Sequence, residues 1–154
     1  MKNTTDKTYS RALLYLADLL ARRDHSKKEL QQKLSKKFDP QTIKKAIQYA
    51  QEQKWMLPEK ELAQKVALSL HRKGKGHYYI QKYLKEKGLP SIPEDLELEK
   101  TKALQLIQKK KKDKPKSLQE KQKLKFFLAN KGFSSECIHQ VLQKLTEENF
   151  SNDF

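Results

Sequence analysis

The sequence predicts an all-α protein made of tandem three-helix, helix-turn-helix-like repeats that form an elongated curved array. Apolar residues recur at intervals of three and four, as on one face of a helix, and no strand-like alternation is found. Charged residues make up 34% of the chain and hydrophobic residues 36%. We therefore expect narrow apolar faces that neighbouring repeats cover, rather than one thick core.

The first repeat is predicted at residues 8–57, after a flexible N-terminus at 1–10. Its first helix should span Thr8–Arg23, where apolar residues share one face (Leu13, Leu16, Ala17 and Leu20). Ser26 and Glu29 have the spacing of a capping box, so a second helix should begin there. Its inward residues are Leu30 and Leu34.

Proline and glycine mark the next boundaries. Asp39–Pro40 should begin a third helix and Pro58 a fourth, because a first-turn proline gives up an amide that would be unpaired. Gly74 and Gly88 are plausible left-handed stops for the fourth and fifth helices. The second repeat, predicted at 58–100, is left with a shortened third helix. The inward residues of these helices are Ile43, Ala46, Ile47 and Ala50, then Leu62, Val66 and Leu70, then Ile80 and Leu84.

The third repeat is predicted at 101–148, with a basic linker at 109–116 (KKKKDKPK) and a frayed tail at 149–154. Capping-box spacing at Ser91–Glu94 and Ser117–Glu120 predicts the beginnings of the sixth and seventh helices. The inward residues are Ala103 and Ile107, then Leu124, Phe127 and Leu128, then Ile138, Val141, Leu142 and Leu145.

One pattern of apolar spacing occurs three times, which favours a repeated unit over the leucine spacing that any helical protein has. The aligned sets are Leu30, Leu34 and Phe38; Ile80, Leu84 and Leu89; and Leu124, Leu128 and Phe133.

The net charge is +15, from 34 Lys and Arg against 19 Asp and Glu, and it indicates an anionic partner. Nucleic acid is the first candidate and an anionic membrane the second. No stretch reaches the roughly 18 apolar residues of a membrane span, and MKNTTDKTYS lacks a signal peptide's apolar core. We expect a cytoplasmic protein that binds no membrane, in which the lone Cys137 is reduced and semi-buried.

No catalytic or metal-binding pattern is found in the sequence, so we expect a non-enzyme without a metal or cofactor. The histidines lack the i, i+4 spacing of zinc ligands: His25, His71, His77 and His139. The Gly74–Gly76 triplet lacks the preceding strand and further glycines of a phosphate loop, so a helix stop and turn explains it better.

Basic residues that bracket the turns are the candidate partner- and DNA-facing residues: Arg22, Arg23, Arg72, Lys73, Lys75, Lys82, Lys85, Lys125 and Lys131. For any single residue an ordinary solvated charge is an equally good explanation. Four aromatics could stack on bases, although packing is the commoner role for such residues: Trp55, Tyr78, Tyr79 and Tyr83.

Three segments resemble the RecX family in their order and spacing. Arg23–Leu30 resembles its basic residue before Ser-x-x-Glu-Leu, and Gly74–Leu89 resembles its Gly-x-Gly, Ile, Leu and Lys-Gly-hydrophobic series. Phe127–Phe133 resembles its closing Phe-Leu-x-x-Arg-Gly-Phe, with Lys131 in place of arginine. The resemblance extends over roughly Arg11–Leu145.

The resemblance implies tandem three-helix repeats that bind the RecA filament on single-stranded DNA and limit its growth and its recombinase and coprotease activities. That role belongs to DNA repair and the SOS response. We expect a monomer with weak direct DNA binding. The alternative is a nonspecific or sequence-reading helix-turn-helix DNA-binding protein. The chain departs from the family at Leu57–Glu59, where an acidic pair is often found, and in the short middle repeat.

Overall fold

The computed structural model describes residues 2–110 and 115–152, and within these ranges it contains eight α-helices and no strand. The helices are α1 (Lys2–Arg22), α2 (Lys27–Leu34), α3 (Pro40–Glu52), α4 (Glu59–Arg72), α5 (His77–Glu86), α6 (Leu96–Lys110), α7 (Leu118–Asn130) and α8 (Ser135–Asn152). The predicted all-α class is confirmed.

The chain divides into two compact units. The first comprises Met1–Lys65 and Leu84–Pro90, and the second comprises Val66–Tyr83 and Ser91–Phe154. In the first unit α1 packs on α3, and the two helices and α2 enclose a core that includes Leu16, Leu30, Leu34 and Ile47. In the second unit the core between α6, α7 and α8 includes Ile107, Leu124, Leu128, Cys137 and Leu142.

The predicted inward faces are confirmed. Five of the predicted residues are half-buried (Leu13, Ala17, Leu20, Val66 and Phe127), and the others are buried. These positions depend only on local helical spacing, which explains why the sequence was sufficient to place them.

The helix boundaries agree with the predicted caps at several places. Ser26 and Glu29 form both hydrogen bonds of the capping box, and the Ser117 side chain accepts from the Glu120 amide. Pro40 is in the first turn of α3, but the Asp39 side chain makes no capping hydrogen bond. The predicted left-handed glycines are confirmed, with φ of +77° at Gly74 and +69° at Gly88.

The capping box predicted at Ser91–Glu94 is wrong. α6 begins at Leu96, and Asp95 Oδ1 accepts a hydrogen bond from the Leu98 amide at 3.2 Å. Ile92 precedes Pro93, and a residue before proline is disfavoured in the helical region, so a helix cannot easily begin at Ser91. Between Gly88 and Ala103, where only a stub of a third helix was predicted for the second repeat, the described chain has no helix before α6 begins at Leu96.

Two terminal segments are more helical than predicted. α1 begins at Lys2, within the segment 1–10 that was predicted to be flexible, and α8 continues to Asn152, within the predicted frayed tail 149–154. Neither helix contains glycine or proline, so nothing in these sequences ends the helix early. Of the predicted linker 109–116, the first two lysines belong to α6 and residues 111–114 lie outside the described residues.

Cys137 is a free thiol, fully buried in the second core, which is more than the semi-buried position predicted. Burial, with a smaller contribution from the carboxylates of Glu99 and Glu94, raises its pKa to about 12.

Because only the thiolate reacts, we expect no modification of Cys137 in the native protein by a disulfide reagent at pH 8, and one thiol per chain to react in urea. Rapid labelling without denaturant would show that the second core opens readily.

Candidate partner interface

Two glycine turns meet in the second unit. The Gly76 amide donates to the Lys131 carbonyl and the Tyr78 amide to the Gly132 carbonyl, each at 2.8 Å. A Cβ atom on Gly76 would lie 2.4 Å from the Gly132 carbonyl carbon, so only glycine allows this approach. We call residues 74–78 with 131–133 the glycine joint. It brings together two of the segments on which the family resemblance depends.

Basic side chains surround the glycine joint. Lys75 Nζ lies 4.7 Å from the centre of the Tyr79 ring, and Tyr79 lies directly against Gly132. Lys131 Nζ and Lys110 Nζ lie 5.8 and 4.0 Å from the centre of the Phe127 ring. Such cation–π contacts hold the ammonium groups in place without neutralising them. With the exposed Arg72 and Lys73 of the preceding turn, these residues form what we call the basic surface: Arg72, Lys73, Lys75, Lys110 and Lys131.

A buried ionic cluster contacts the turn that contains Lys75. Lys102 Nζ lies 2.6 Å from Glu99 Oε1 and from His71 Nδ1, and it donates to the Lys75 carbonyl at 2.7 Å. Glu99 Oε2 accepts from the His77 amide at 3.0 Å. Burial lowers the pKa of His71, and the positive charge of Lys102 lowers it further. The neutral ring is therefore favoured, and its Nδ1 can accept a hydrogen bond from the Lys102 ammonium group. The cluster fixes the turn that carries Lys75.

Sequence reasoning missed parts of this site. Lys110 was assigned to the linker, and its only signal was its place at the basic end of a long helix. His71, Glu99 and Lys102 form no motif, because they meet only when α4 and α6 pack. Lys82 and Lys125, which were predicted, lie exposed on α5 and α7 of the same unit.

The other predicted cations belong to the first unit. Arg22 is exposed and pairs with Asp18 at 3.0 Å, and Lys85 is exposed. Arg23 is bound within the protein: its Nη2 lies 2.8 Å from Glu29 Oε2 and its Nη1 donates to the Asp24 carbonyl. About half of the Arg23 side chain stays exposed, so a partner contact at this position remains a prediction.

Glu29 is the centre of a second joint, in the first unit. Its carboxylate accepts from Arg23 and from the Ser26 amide, and Lys87 Nζ lies 3.5 Å away. The Ser26 hydroxyl donates to the Lys87 carbonyl, and a Cβ on Gly88 would lie 2.8 Å from the Lys28 Cβ. Thus the Arg-x-x-Ser-x-x-Glu segment and the Lys-Gly turn of the resemblance contact each other, and these contacts stabilise the first unit.

The predicted stacking aromatics are placed differently from one another. Trp55 and Tyr49 are both partly exposed and pack edge to face, 5.4 Å between ring centres. Tyr78 is 60% exposed, the Tyr79 ring contacts the Lys75 ammonium group, and Tyr83 is half-buried. The Tyr78 ring also lies 5.9 Å, centre to centre, from the His77 ring, so packing occupies part of each of these rings.

The described residues form neither a metal site nor a membrane span. No group of three or more His, Cys, Asp or Glu side chains there has an arrangement that could hold a metal ion. No helix in the same ranges is both long and apolar enough to cross a bilayer.

Comparison with known proteins identifies relatives along nearly the whole chain. The models "RecX, first three-helix domain" and "RecX, third three-helix domain" match residues 9–49 and 98–142. Over 152 residues the chain is 34% identical to Regulatory protein RecX of Chlorobaculum tepidum, and the match covers 94% of each chain.

Two crystal structures share the fold. RecX from Lactobacillus salivarius matches with a TM-score of 0.72 and 24% identity over 95% of this chain and 99% of that one. A second structure, of regulatory protein RecX, matches with a TM-score of 0.72 and 20% identity over 90% of this chain and 74% of that one. The sequence identity to the Chlorobaculum tepidum protein and the two domain matches agree with this fold, and the chain belongs to the RecX family.

Proposed function

We propose that this protein binds the RecA filament on single-stranded DNA and inhibits or modulates its recombinase and coprotease activities. The observation that carries the proposal is the basic surface, because four of its five cations lie at the two turns that contain the glycine segments of the family resemblance, and the fifth, Lys110 of α6, lies against Phe127. Five cations on adjoining segments are suited to the phosphates of a DNA strand held in a filament.

Charge alone would not give useful binding. A basic protein binds DNA nonspecifically with a dissociation constant of roughly 10⁻⁴ to 10⁻⁶ M at physiological salt. Additional contacts with RecA subunits would raise the affinity by effective concentration, without requiring any single strong contact. We therefore favour a partner that presents protein and DNA together.

The proposal is tested by the effect of the protein on DNA-dependent ATP hydrolysis and strand exchange by RecA, at substoichiometric ratios and two salt concentrations. We expect inhibition of both reactions that weakens at the higher salt. No effect on either reaction, with duplex binding retained, would contradict the proposal.

The basic surface can be tested by neutralising Arg72, Lys73 and Lys75 together, each to glutamine. We expect filament binding to weaken roughly tenfold, about 1.4 kcal/mol, measured by co-sedimentation with RecA on single-stranded DNA. The matched control neutralises three exposed lysines of the first unit, Lys7, Lys36 and Lys60, and removes the same charge. Equal weakening in both variants would show that only net charge matters.

A second candidate function is direct DNA reading by the helix-turn-helix pair α2–α3. The observation that favours it is the exposed face of α3, on which four polar side chains lie at helical spacing: Gln41, Lys44, Lys45 and Gln48. A sequence-reading module should prefer one duplex over random sequence by about 4 kcal/mol or more. Selection from a random duplex library that returns no enriched sequence would contradict it.

A further inference from the structure

An open groove between α7 and α8 exposes an aromatic side chain. Its volume is about 480 Å³, and Phe126, Ala129 and Ile138 supply apolar lining, together with the cationic Lys125 and with His139. Phe126 is 70% exposed although its neighbour Phe127 packs against the core. An aromatic ring left in solvent beside an apolar groove is typical of a binding surface.

The first unit has a groove in the equivalent place, between α2 and α3, with a volume of about 560 Å³. The alignment of the repeats continues from Phe38 to Ile43 and Ile47, and from Phe133 to Ile138 and Leu142. It matches the lining residues of the two grooves: Gln31 with Lys125, Ser35 with Ala129, Ile43 with Ile138 and Lys44 with His139. Two repeats with separate sequences thus present the same kind of surface. Core packing accounts for the two buried isoleucines, but it does not require the other matched residues, which are exposed in both grooves.

The two grooves also share their charge. Among the described residues that line them, none is acidic, whereas Lys27 and Lys44 line the first and Lys125 the second. The carboxylates of Glu52 and Glu136, on α3 and α8, accept hydrogen bonds from Gln48 and Gln140. A ligand in either groove therefore meets apolar side chains and cations.

We propose that each groove binds an acidic amphipathic segment of a partner protein, whose apolar side chains enter the groove and whose carboxylates pair with the lysines. Helix-in-groove recognition of this kind uses apolar anchors at helical spacing. A nucleic acid strand fits the first groove less well, because no aromatic residue lines that groove for a base to stack on. The site is separate from the basic surface.

The test uses fluorescence anisotropy of the whole protein with a labelled amphipathic helical peptide that carries leucines on one face and glutamates on the other. Three comparison probes are a peptide with lysines for the glutamates, a peptide with serines for the leucines, and single-stranded oligo-dT. Of the three peptides, we expect only the first to bind in a saturable way, and oligo-dT, which the basic surface can bind weakly, should not displace it. Equal binding of the serine peptide, or full competition by oligo-dT, would overturn the proposal.

Matched variants locate the binding. Phe126→Ser should weaken binding of the acidic peptide to the second groove about tenfold and leave the first groove as the remaining site, whereas Leu14→Ser, which changes an equally exposed apolar residue outside both grooves, should leave both sites intact. In the first groove, Lys44→Glu should weaken it more than Lys45→Glu, which makes the same charge change on α3 outside the groove. All four sites are exposed or surface-facing, and circular dichroism would check that each variant folds.

Equal affinity of each variant and its control for the acidic peptide would overturn the proposal. Because no RecA is present, the result is independent of the RecA assays. Peptide binding without any effect on RecA would keep the groove and reject the proposed function. RecA inhibition that survives loss of peptide binding would keep the proposed function and place the groove's partner elsewhere.

Discussion

Gly76→Ala is expected to lower the free energy of unfolding of the second unit by about 3 kcal/mol, at the upper end of overpacking substitutions. The new Cβ would lie 2.4 Å from Gly132 C and Phe133 N and 2.6 Å from Gly132 O. All three atoms are backbone, so no side chain can rotate away to relieve the contact. Relief requires the two turns to separate, and separation breaks the hydrogen bonds from Gly76 and Tyr78.

Gly74→Ala is the matched control, two residues away in the same turn. Gly74 has a φ of +77°, and a Cβ there would meet only the flexible Leu106 side chain, at 3.3 Å. Gly74→Ala should lower the free energy of unfolding by about 1 kcal/mol, because only the left-handed backbone conformation disfavours alanine there. Urea unfolding followed by circular dichroism measures both. A cost at Gly76 no larger than that at Gly74 would show that the glycine joint is not closely packed.

The difference between these glycines also shows what the sequence could reveal. Gly74 and Gly88 were predicted as helix stops because a left-handed residue after a helix is a local feature. Gly76 has no positive φ, and its requirement for glycine comes from a turn more than fifty residues away. Nothing near Gly76 in the chain signals that contact.

The candidate site, like the glycines, was predictable from the sequence only in its local features. Sequence alone gave the net charge and the cations near turns, but it could not separate Arg23, which binds Glu29, from Arg72, which lies exposed. It placed Phe127 inward by helical spacing, and the structure agrees. The exposure of Phe126 became informative only when α8 was found beside it, forming a groove.

Substituting Glu29 should have its largest effect at neutral pH and little effect in strong acid. Burial alone would raise the pKa of this carboxyl group, but hydrogen bonds from Arg23 and Ser26 and the charge of Lys87 outweigh burial and lower it from 4.5 to about 2. The carboxylate therefore stabilises the fold fully above about pH 4.5. This contribution is lost as the pH falls towards 2, because the unfolded chain takes up the proton first.

We expect Glu29→Gln to lower the free energy of unfolding at pH 7 by about 2 kcal/mol, less than the full shift would give because the half-exposed Arg23 is screened by solvent. Urea unfolding at pH 7, 4 and 2.5 should show the gap between wild type and variant closing as the pH falls. Glu52→Gln, which removes an exposed carboxylate that accepts from Gln48, corrects for the loss of one negative charge. A gap that stays constant across this range would mean that Glu29 acts through its shape and capping geometry rather than its charge. Since the same carboxylate connects the Arg23 segment to the Lys87–Gly88 turn, a closing gap would show that charge holds the joint around Glu29 together, whereas close backbone packing holds the glycine joint.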